Sequence, residues 1–145
     1  MFAGHLGVAL AVARAEPRVN VGVFAAASLL LDVLLWLFIL LGWESVTIPA
    51  DFSSTHQPDF VFPYSHGLAA SVAWSLLAGA LVFLLYSRRR EVQRHASLLV
   101  AALVFSHWLL DALVHRTEMP LAGAASHLVG LGLWNHPAVA VPLEV

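Results

Sequence analysis

The sequence predicts an all-α fold, a polytopic bundle of helices embedded in a membrane. Of its 145 residues, 60% are hydrophobic and 11% are charged, whereas soluble domains are about one quarter charged. Three apolar stretches are also long enough to cross a bilayer. A chain this short could not hide so much apolar surface from water, so its solvent must be lipid. We therefore expect a single transmembrane domain over residues 1–145.

The first apolar segment, residues 2–13, is shorter than a full span. It looks superficially like a signal peptide, but His5 interrupts its apolar core and no positively charged region precedes it. Its apolar run ends before Arg14. We expect a short N-terminal helix that stays in the mature protein.

Three full spans follow, at about residues 21–43, 65–86 and 96–115. Each has about 20 residues, enough to cross a hydrocarbon core of about 30 Å at 1.5 Å per residue. After Pro120 several glycines and prolines weaken the apolar pattern, and a new apolar run begins shortly before Val145. We expect a C-terminal helix that is short or truncated.

The arginines predict the orientation of the bundle. Arg14 and Arg18 lie between the short segment and the first span, and residues 88–90 with Arg94 lie between the second and third spans. Both connections should be cytoplasmic, because basic residues concentrate on that side. The loop over residues 44–64 has three acids and no basic residue, which fits the opposite side.

Ionisable side chains inside the spans are the strongest functional signal. Asp32 and His107 each lie 11 residues from the cytoplasmic end of their predicted spans, which puts them about 16 Å deep. A charged group at that depth costs a few kcal/mol, so it marks a functional site unless a partner explains it. Four further groups should share the outer half of the bundle: His5, His66, Asp111 and His115.

Metal chemistry suits this set of residues. Imidazole nitrogens and carboxylate oxygens bind zinc, manganese or iron, and without thiolates they favour a catalytic over a structural site. The chain has no cysteine, which excludes disulfides, thiolate metal sites and iron–sulfur clusters. It also lacks a nucleophile elbow, a P-loop and a dinucleotide fingerprint. Nucleic-acid binding is not expected, since the basic cluster lies between two spans.

Each residue also has a simpler explanation. Asp32 could bond to a neighbouring helix, His66 could cap a helix, and His107 with Asp111 could satisfy each other. His115 could face water at the end of its span. Solvated side chains are expected for the remaining histidines and two loop acids: His56, His95, His127, His136, Asp51 and Asp59. The joint occurrence of the buried groups favours the functional interpretation.

Four motifs occur in a suggestive order: Gly4-His5-Leu6-Gly7, an apolar run closed by Asp32, Tyr64-Ser65-His66-Gly67, and a helix with Ser106-His107 and Asp111. In this the chain resembles the YdjM-like family of bacterial inner-membrane proteins, described as metal-dependent hydrolases. That family is in turn similar to zinc-dependent phospholipases C and single-strand nucleases, which are all-helical. The resemblance covers roughly residues 3–115.

The resemblance implies a set of metal ligands in this chain: His5, Asp32, His66, His107 and Asp111. Two departures from the family pattern are visible. Residues 31–34 supply one acid where the family has Pro-Asp-x-Asp, and residues 62–64 replace a His-Arg-Gly element. These departures bear on whether the site could hold a second metal ion.

We therefore expect a metal-dependent hydrolase of the bacterial inner membrane with a divalent ion, zinc as the first choice, and a phosphoester or lipid-like substrate from the outer leaflet. His115 or Asp59 could shuttle protons. Membrane lipids are the expected partners, and runs of small residues at 25–27 and 79–80 would permit a homo-oligomer. Two alternatives stay open, namely haem-based electron transfer and proton or metal-ion transport or sensing.

Overall fold

The computed structural model describes residues 2–136 and 138–139. Helices dominate, as the sequence predicts. The helices are α1 (Phe2–Ala15), α2 (Val21–Ser28), α3 (Leu30–Leu40), α4 (Phe52–Thr55), α5 (Leu68–Leu85) and α6 (Arg90–Val114). Helix α6 lies at the centre, because α1, α2, α3 and α5 all contact it.

Two of these helices, α5 and α6, are long and apolar enough to cross a membrane. A third span is available if α2 and α3 are counted together, although they meet at an angle of 50°. Large apolar side chains on α5 stay exposed, among them Leu76, Leu81 and Leu84. Such a surface is stable in lipid and costly in water, which is consistent with a membrane protein.

The bend in the first predicted span occurs at Leu29, without proline or glycine. Ser28 lies just before it, and its hydroxyl donates a hydrogen bond to the Ala25 carbonyl at 2.9 Å. Serine hydroxyls that bond back to their own helix are known to bend it. At the bend, the Ser28 carbonyl lies 2.6 Å from Nδ1 of His107 on α6.

Helices α5 and α6 form the most extensive helix pair among the described residues. A Cβ atom placed on Gly79 would lie 3.0 Å from Cβ of Ala101, so only glycine fits without displacement. The Ser97 hydroxyl donates to the Gly79 carbonyl at 2.7 Å. Small residues allow the two backbones to approach closely, as in other membrane helix pairs.

Short elements cover the end of the bundle where α3 stops and α5 begins. Strands β1 (Ser45–Thr47) and β2 (Asp59–Val61) pair antiparallel, as do β3 (Met119–Pro120) and β4 (Leu128–Val129). A 3₁₀-helix at Leu133–Asn135 lies in the region for which the sequence predicts a short helix. The predicted truncation at Val145 lies outside the described residues.

Candidate metal centre

Five ionisable side chains from four parts of the chain meet inside the bundle. His5 comes from α1, Asp32 from the first turn of α3, and His107 and Asp111 from α6. His66 lies two residues before α5. The i, i+4 spacing of His107 and Asp111 places them on the same face of α6. The five expected ligands are thus brought together.

The ligand atoms of four of these residues face one another. Nε2 of His66 and Nε2 of His107 are 3.3 Å apart. Asp111 Oδ2 lies 3.1 Å from the His107 nitrogen and 3.4 Å from the His66 nitrogen. Asp32 Oδ1 lies 3.5 Å and 3.7 Å from the same two nitrogens. Each of the two nitrogens therefore lies close to an oxygen of both carboxylates.

These distances fit a tetrahedral metal ion. Zinc binds nitrogen and oxygen ligands at about 2.0–2.2 Å, so two ligands of one tetrahedral ion are roughly 3.3–3.6 Å apart. The measured separations range from 3.1 to 3.7 Å. Two overlapping groups of three side chains are close enough to hold a metal ion, namely His66 with His107 and Asp111, and His5 with Asp32 and His107.

The tautomer of His107 follows from the hydrogen bond that its Nδ1 atom makes. Nδ1 of His107 lies 2.6 Å from the backbone carbonyl of Ser28. A carbonyl oxygen only accepts hydrogen bonds, so Nδ1 must carry the proton. In the neutral ring, Nε2 then has a free lone pair, and that lone pair faces the cluster. This arrangement is usual for histidines that bind metals.

A chain of hydrogen bonds fixes the same tautomer in His66. Both backbone N–H groups of Tyr64 and Ser65 donate to Oε1 of Glu44, at 2.7 and 2.8 Å. The Ser65 hydroxyl donates to Oε2 of Glu44 at 2.7 Å, so its oxygen is left to accept. Nδ1–H of His66 donates to that oxygen at 2.9 Å. Nε2 of His66 therefore also presents a lone pair to the cluster.

Glu44 is the functional residue that sequence reasoning misses, since it looks like an ordinary loop acid. Its side chain is buried and it accepts three hydrogen bonds from the segment that positions His66. The Ser65-His66 pair is the one sequence feature that points to such an acid, because a buried hydroxyl beside an imidazole needs a hydrogen-bond acceptor of its own.

With both rings neutral and no cation, this arrangement would be repulsive. The Nε2 lone pairs of His66 and His107 would lie 3.3 Å from each other and within 3.7 Å of a carboxylate oxygen of Asp32 and of Asp111. His66, His107 and Asp111 are buried, so water screens them poorly. A divalent ion among these atoms would remove the repulsion and compensate the buried carboxylates.

His5 completes the group from the opposite side of Asp111. Its Nε2 lies 3.1 Å from Asp111 Oδ1, and its ring stacks on that of His107 with centroids 3.7 Å apart. Nδ1 of His5 is buried and has no hydrogen-bond partner among the described residues. His5, Asp32 and His107 also have ligand atoms close enough to share an ion.

A cavity of about 150 Å³ opens onto the cluster. Asp32 connects the two, since its side chain is 35% exposed while the other carboxylate, Asp111, is buried. Aromatic and aliphatic side chains form the walls: Leu35, Trp36, Phe60, Phe62 and Trp134. An open side of this kind is typical of catalytic rather than structural metal sites.

His115 and Asp59, the two expected proton shuttles, occupy different places. His115 lines the cavity, and its Nδ1 lies 2.6 Å from Oε1 of Glu118. Asp59 is not among the residues lining that cavity, and its carboxylate forms an ion pair with Arg116. Of the two, only His115 is thus placed to act at the cavity.

A larger depression lies between α3 and α5, with a volume of about 800 Å³. Its walls include Phe38, Trp43, Tyr64 and Trp74, and none of its lining residues is an acid, a histidine or a basic residue. This depression therefore offers no carboxylate or imidazole that could act as a metal ligand or general base. Comparisons of the chain with protein-family models, with curated proteins and with solved structures find no match.

Proposed function

We propose that this chain is a membrane-embedded, metal-dependent hydrolase, in keeping with its resemblance to the YdjM-like family of the bacterial inner membrane. One observation carries the proposal. The Nε2 lone pairs of His66 and His107 face each other at 3.3 Å beside two carboxylates. A divalent cation among these atoms would satisfy both lone pairs and both carboxylates, and this supports the proposal.

Zinc is the proposed ion. His66, His107, Asp32 and Asp111 would hold it, with His5 on the second oxygen of Asp111. Mixed nitrogen and oxygen ligands without thiolates are typical of catalytic zinc. When bound, such an ion supplies Lewis acidity and lowers the pKa of a water molecule toward neutrality.

His115 and Glu118 would provide the general base. Nδ1–H of His115 donates to the Glu118 carboxylate, so Nε2 of the neutral ring is free to accept a proton. A carboxylate behind an imidazole orients the ring and stabilises its protonated form. His115 would take a proton from water in the cavity and later return it to the leaving group.

The cavity walls favour a lipid-like phosphoester as the substrate. The cavity is small and mostly apolar, with Asp32, His66 and Asp111 on one side. Trp36 lines it and is also exposed on the surface of α3, beside exposed Val33 and Leu37. A substrate could therefore enter from the lipid with its polar head directed at the ionisable groups.

Haem binding is the less supported alternative. A porphyrin ring would have to lie between the nitrogens of His66 and His107. Those atoms are only 3.3 Å apart, and Asp111 Oδ2 lies within 3.4 Å of both. The carboxylate occupies the space that the flat macrocycle would need.

Hydrolysis assays on the detergent-purified protein, loaded with zinc, test the proposal. Phospholipids in mixed micelles and a soluble phosphodiester would serve as substrates. We expect Asp111→Asn to lower kcat/KM by about 100-fold or more, as loss of a ligand does. Asp51→Asn, a matched change at an exposed position, should leave the rate unchanged. Equal rates for the wild type and Asp111→Asn would refute the proposal.

A further inference from the structure

A second cavity lies at the other end of the bundle, where α5 passes into α6. Its volume is about 520 Å³, and its lining residues are Phe83, Ser87, Arg90, Gln93 and Arg94. The two arginines, a hydroxyl and an amide are the groups that bind phosphate oxygens. This cavity is separate from the candidate metal centre and shares no lining residue with the cavity there.

The arginines around this cavity have no ion-pair partner among the residues that the structure describes. Within the described part of the chain, no guanidinium group of Arg88, Arg89, Arg90 or Arg94 takes part in an ion pair, and all four residues are exposed. Arg18 and Arg116, in contrast, each pair with a carboxylate. Glu91 is the acid within this run of residues 87–94. The turn thus carries positive charge that the protein itself does not neutralise.

The cavity has a fixed wall between the two helices. Nε2 of Gln93 on α6 donates to the carbonyl of Phe83 on α5 at 2.8 Å. This bond ties the start of α6 to the last turn of α5. Arg90 and Arg94 are one helical turn apart, so they project from the same face of α6 and can contact the same anion.

The surface beside the cavity is apolar. Leu84 and Leu85 are each 69% exposed, and so is Leu98 on α6. Phe83, which lines the cavity, is also exposed. A ligand that binds both the arginine-lined cavity and the apolar surface needs an anionic headgroup to pair with the arginines. It also needs hydrocarbon chains to pack on the leucines.

We propose that this cavity binds the phosphate headgroup of an anionic phospholipid, with the acyl chains along the exposed face of α5 and α6. Basic pockets between membrane helices on the cytoplasmic side are suited to such headgroups. The arginine-rich ends of these helices are the ones that should face the cytoplasm. The proposal does not depend on the metal centre or on its activity.

Lipid retention by the full-length protein tests this site. The protein would be transferred into mixed micelles with equal amounts of phosphatidylglycerol and phosphatidylcholine, and bound lipid would be counted by native mass spectrometry. We expect preferential retention of phosphatidylglycerol. Arg90→Gln with Arg94→Gln should lower that preference by about 30-fold, as the loss of two arginine contacts with an anionic surface implies.

The matched control removes the same charge from the same turn. Arg88→Gln with Arg89→Gln changes two exposed arginines that do not line the cavity, and it should keep most of the preference. Equal losses in the two double variants would overturn the proposal, since only net charge would then matter. A third arm uses inorganic phosphate alone. If phosphate protects against thermal unfolding as well as the lipid does, the ligand is a free anion and the lipid assignment is wrong.

Discussion

The proton on His66 is held in place by the polarity of two consecutive hydrogen bonds. Glu44 can only accept, so the Ser65 hydroxyl must donate to it and must itself accept from Nδ1 of His66. Each hydrogen bond therefore determines whether the next group along the chain donates or accepts. A loop carboxylate thereby determines which nitrogen of a buried histidine is available to a metal.

Glu44→Gln should reverse this polarity. The amide oxygen would keep the two backbone bonds from Tyr64 and Ser65, and the amide N–H₂ would then face the Ser65 hydroxyl. The hydroxyl would donate to Nδ1 of His66, and the ring proton would move to Nε2, inside the cluster. Outer-shell changes of this kind lower metal affinity by about 10–100-fold.

Competition with a chromogenic chelator measures that affinity. Asp51→Asn makes the same chemical change at an exposed position in the same loop, and it should bind metal as the wild type does. Unchanged affinity in Glu44→Gln would show that the Ser65 hydroxyl does not set the tautomer.

At this scale the sequence predicts which residues gather but not how they are oriented. Depth in the span and the i, i+4 spacing of His107 and Asp111 are sequence properties, and they are enough to group the ionisable residues. The role of Glu44 depends on how the loop after α3 folds back on the start of α5. Nothing in the spacing between Glu44 and His66 indicates that contact.

The helices at the arginine-rich end are joined by a buried carboxylate. Glu16, between α1 and α2, accepts two hydrogen bonds from Arg18, at 2.7 and 2.8 Å. Its Oε2 also lies 2.9 Å from Nδ1 of His95 on α6. The carboxylate is buried although Arg18 and His95 are about half exposed. These contacts fix the α1–α2 connection against α6, and so the approach of His5 to the centre.

Glu16→Gln should therefore destabilise the protein in a pH-dependent way. The bonds from Arg18, and then that from His95, lower the pKa of Glu16 from 4.5 to about 2. A lowered pKa in the folded state stabilises the protein above the unfolded pKa, and this contribution is lost as the pH falls. The difference in Tm between wild type and variant should be full above pH 4.5 and vanish near pH 2.

Thermal unfolding in detergent over that pH range makes the comparison. Glu91→Gln, an exposed acid at the start of α6, should show no such trend. A difference between wild type and Glu16→Gln that stays constant with pH would mean that packing, and not the ionised carboxylate, holds the connection.

The positions of long apolar helices are the easiest feature to predict from the sequence, and the bends within them are the hardest. Helix α5 is Leu68–Leu85, inside the predicted span 65–86, whereas α6 begins at Arg90 and not near residue 96. The bend at Leu29 has no proline or glycine to mark it. Ser28 is the local feature beside it, but a single serine within an apolar run does not by itself predict a bend.

The molecule as a whole has two chemically different ends. Arginines without an acidic partner among the described residues surround the turn between α5 and α6. The histidines and aspartates of the candidate metal centre lie toward the end covered by β1 and β2. The positive-inside rule then directs the candidate metal centre to the outer leaflet. A lipid-like substrate would reach it from there.

Single-cysteine labelling tests this orientation, and the natural chain has no cysteine to interfere. Ser53→Cys, at an exposed position of α4, should react in intact cells with a maleimide that cannot cross membranes. Arg89→Cys, in the turn between α5 and α6, should react only after the membrane is permeabilised. The opposite pattern would place the centre on the cytoplasmic side.

The helical membrane class follows from composition alone, because only lipid makes so much exposed apolar surface stable. Composition does not determine the number of spans. There are two if only α5 and α6 cross, and three if the bent pair of α2 and α3 counts as one span. The covering of short strands was also not predicted. Strands of two or three residues have too few positions to show an alternating pattern.

Metal content tests the central claim most directly. Elemental analysis of the protein, purified in mild detergent without chelators or an affinity tag that binds metal, should find a divalent ion, zinc first, in stoichiometric amount. His107→Ala with Asp111→Asn should lose it, while His56→Ala with Asp51→Asn, both outside the cluster, should keep it. A metal-free wild type, or stoichiometric metal in the first double variant, would contradict the account.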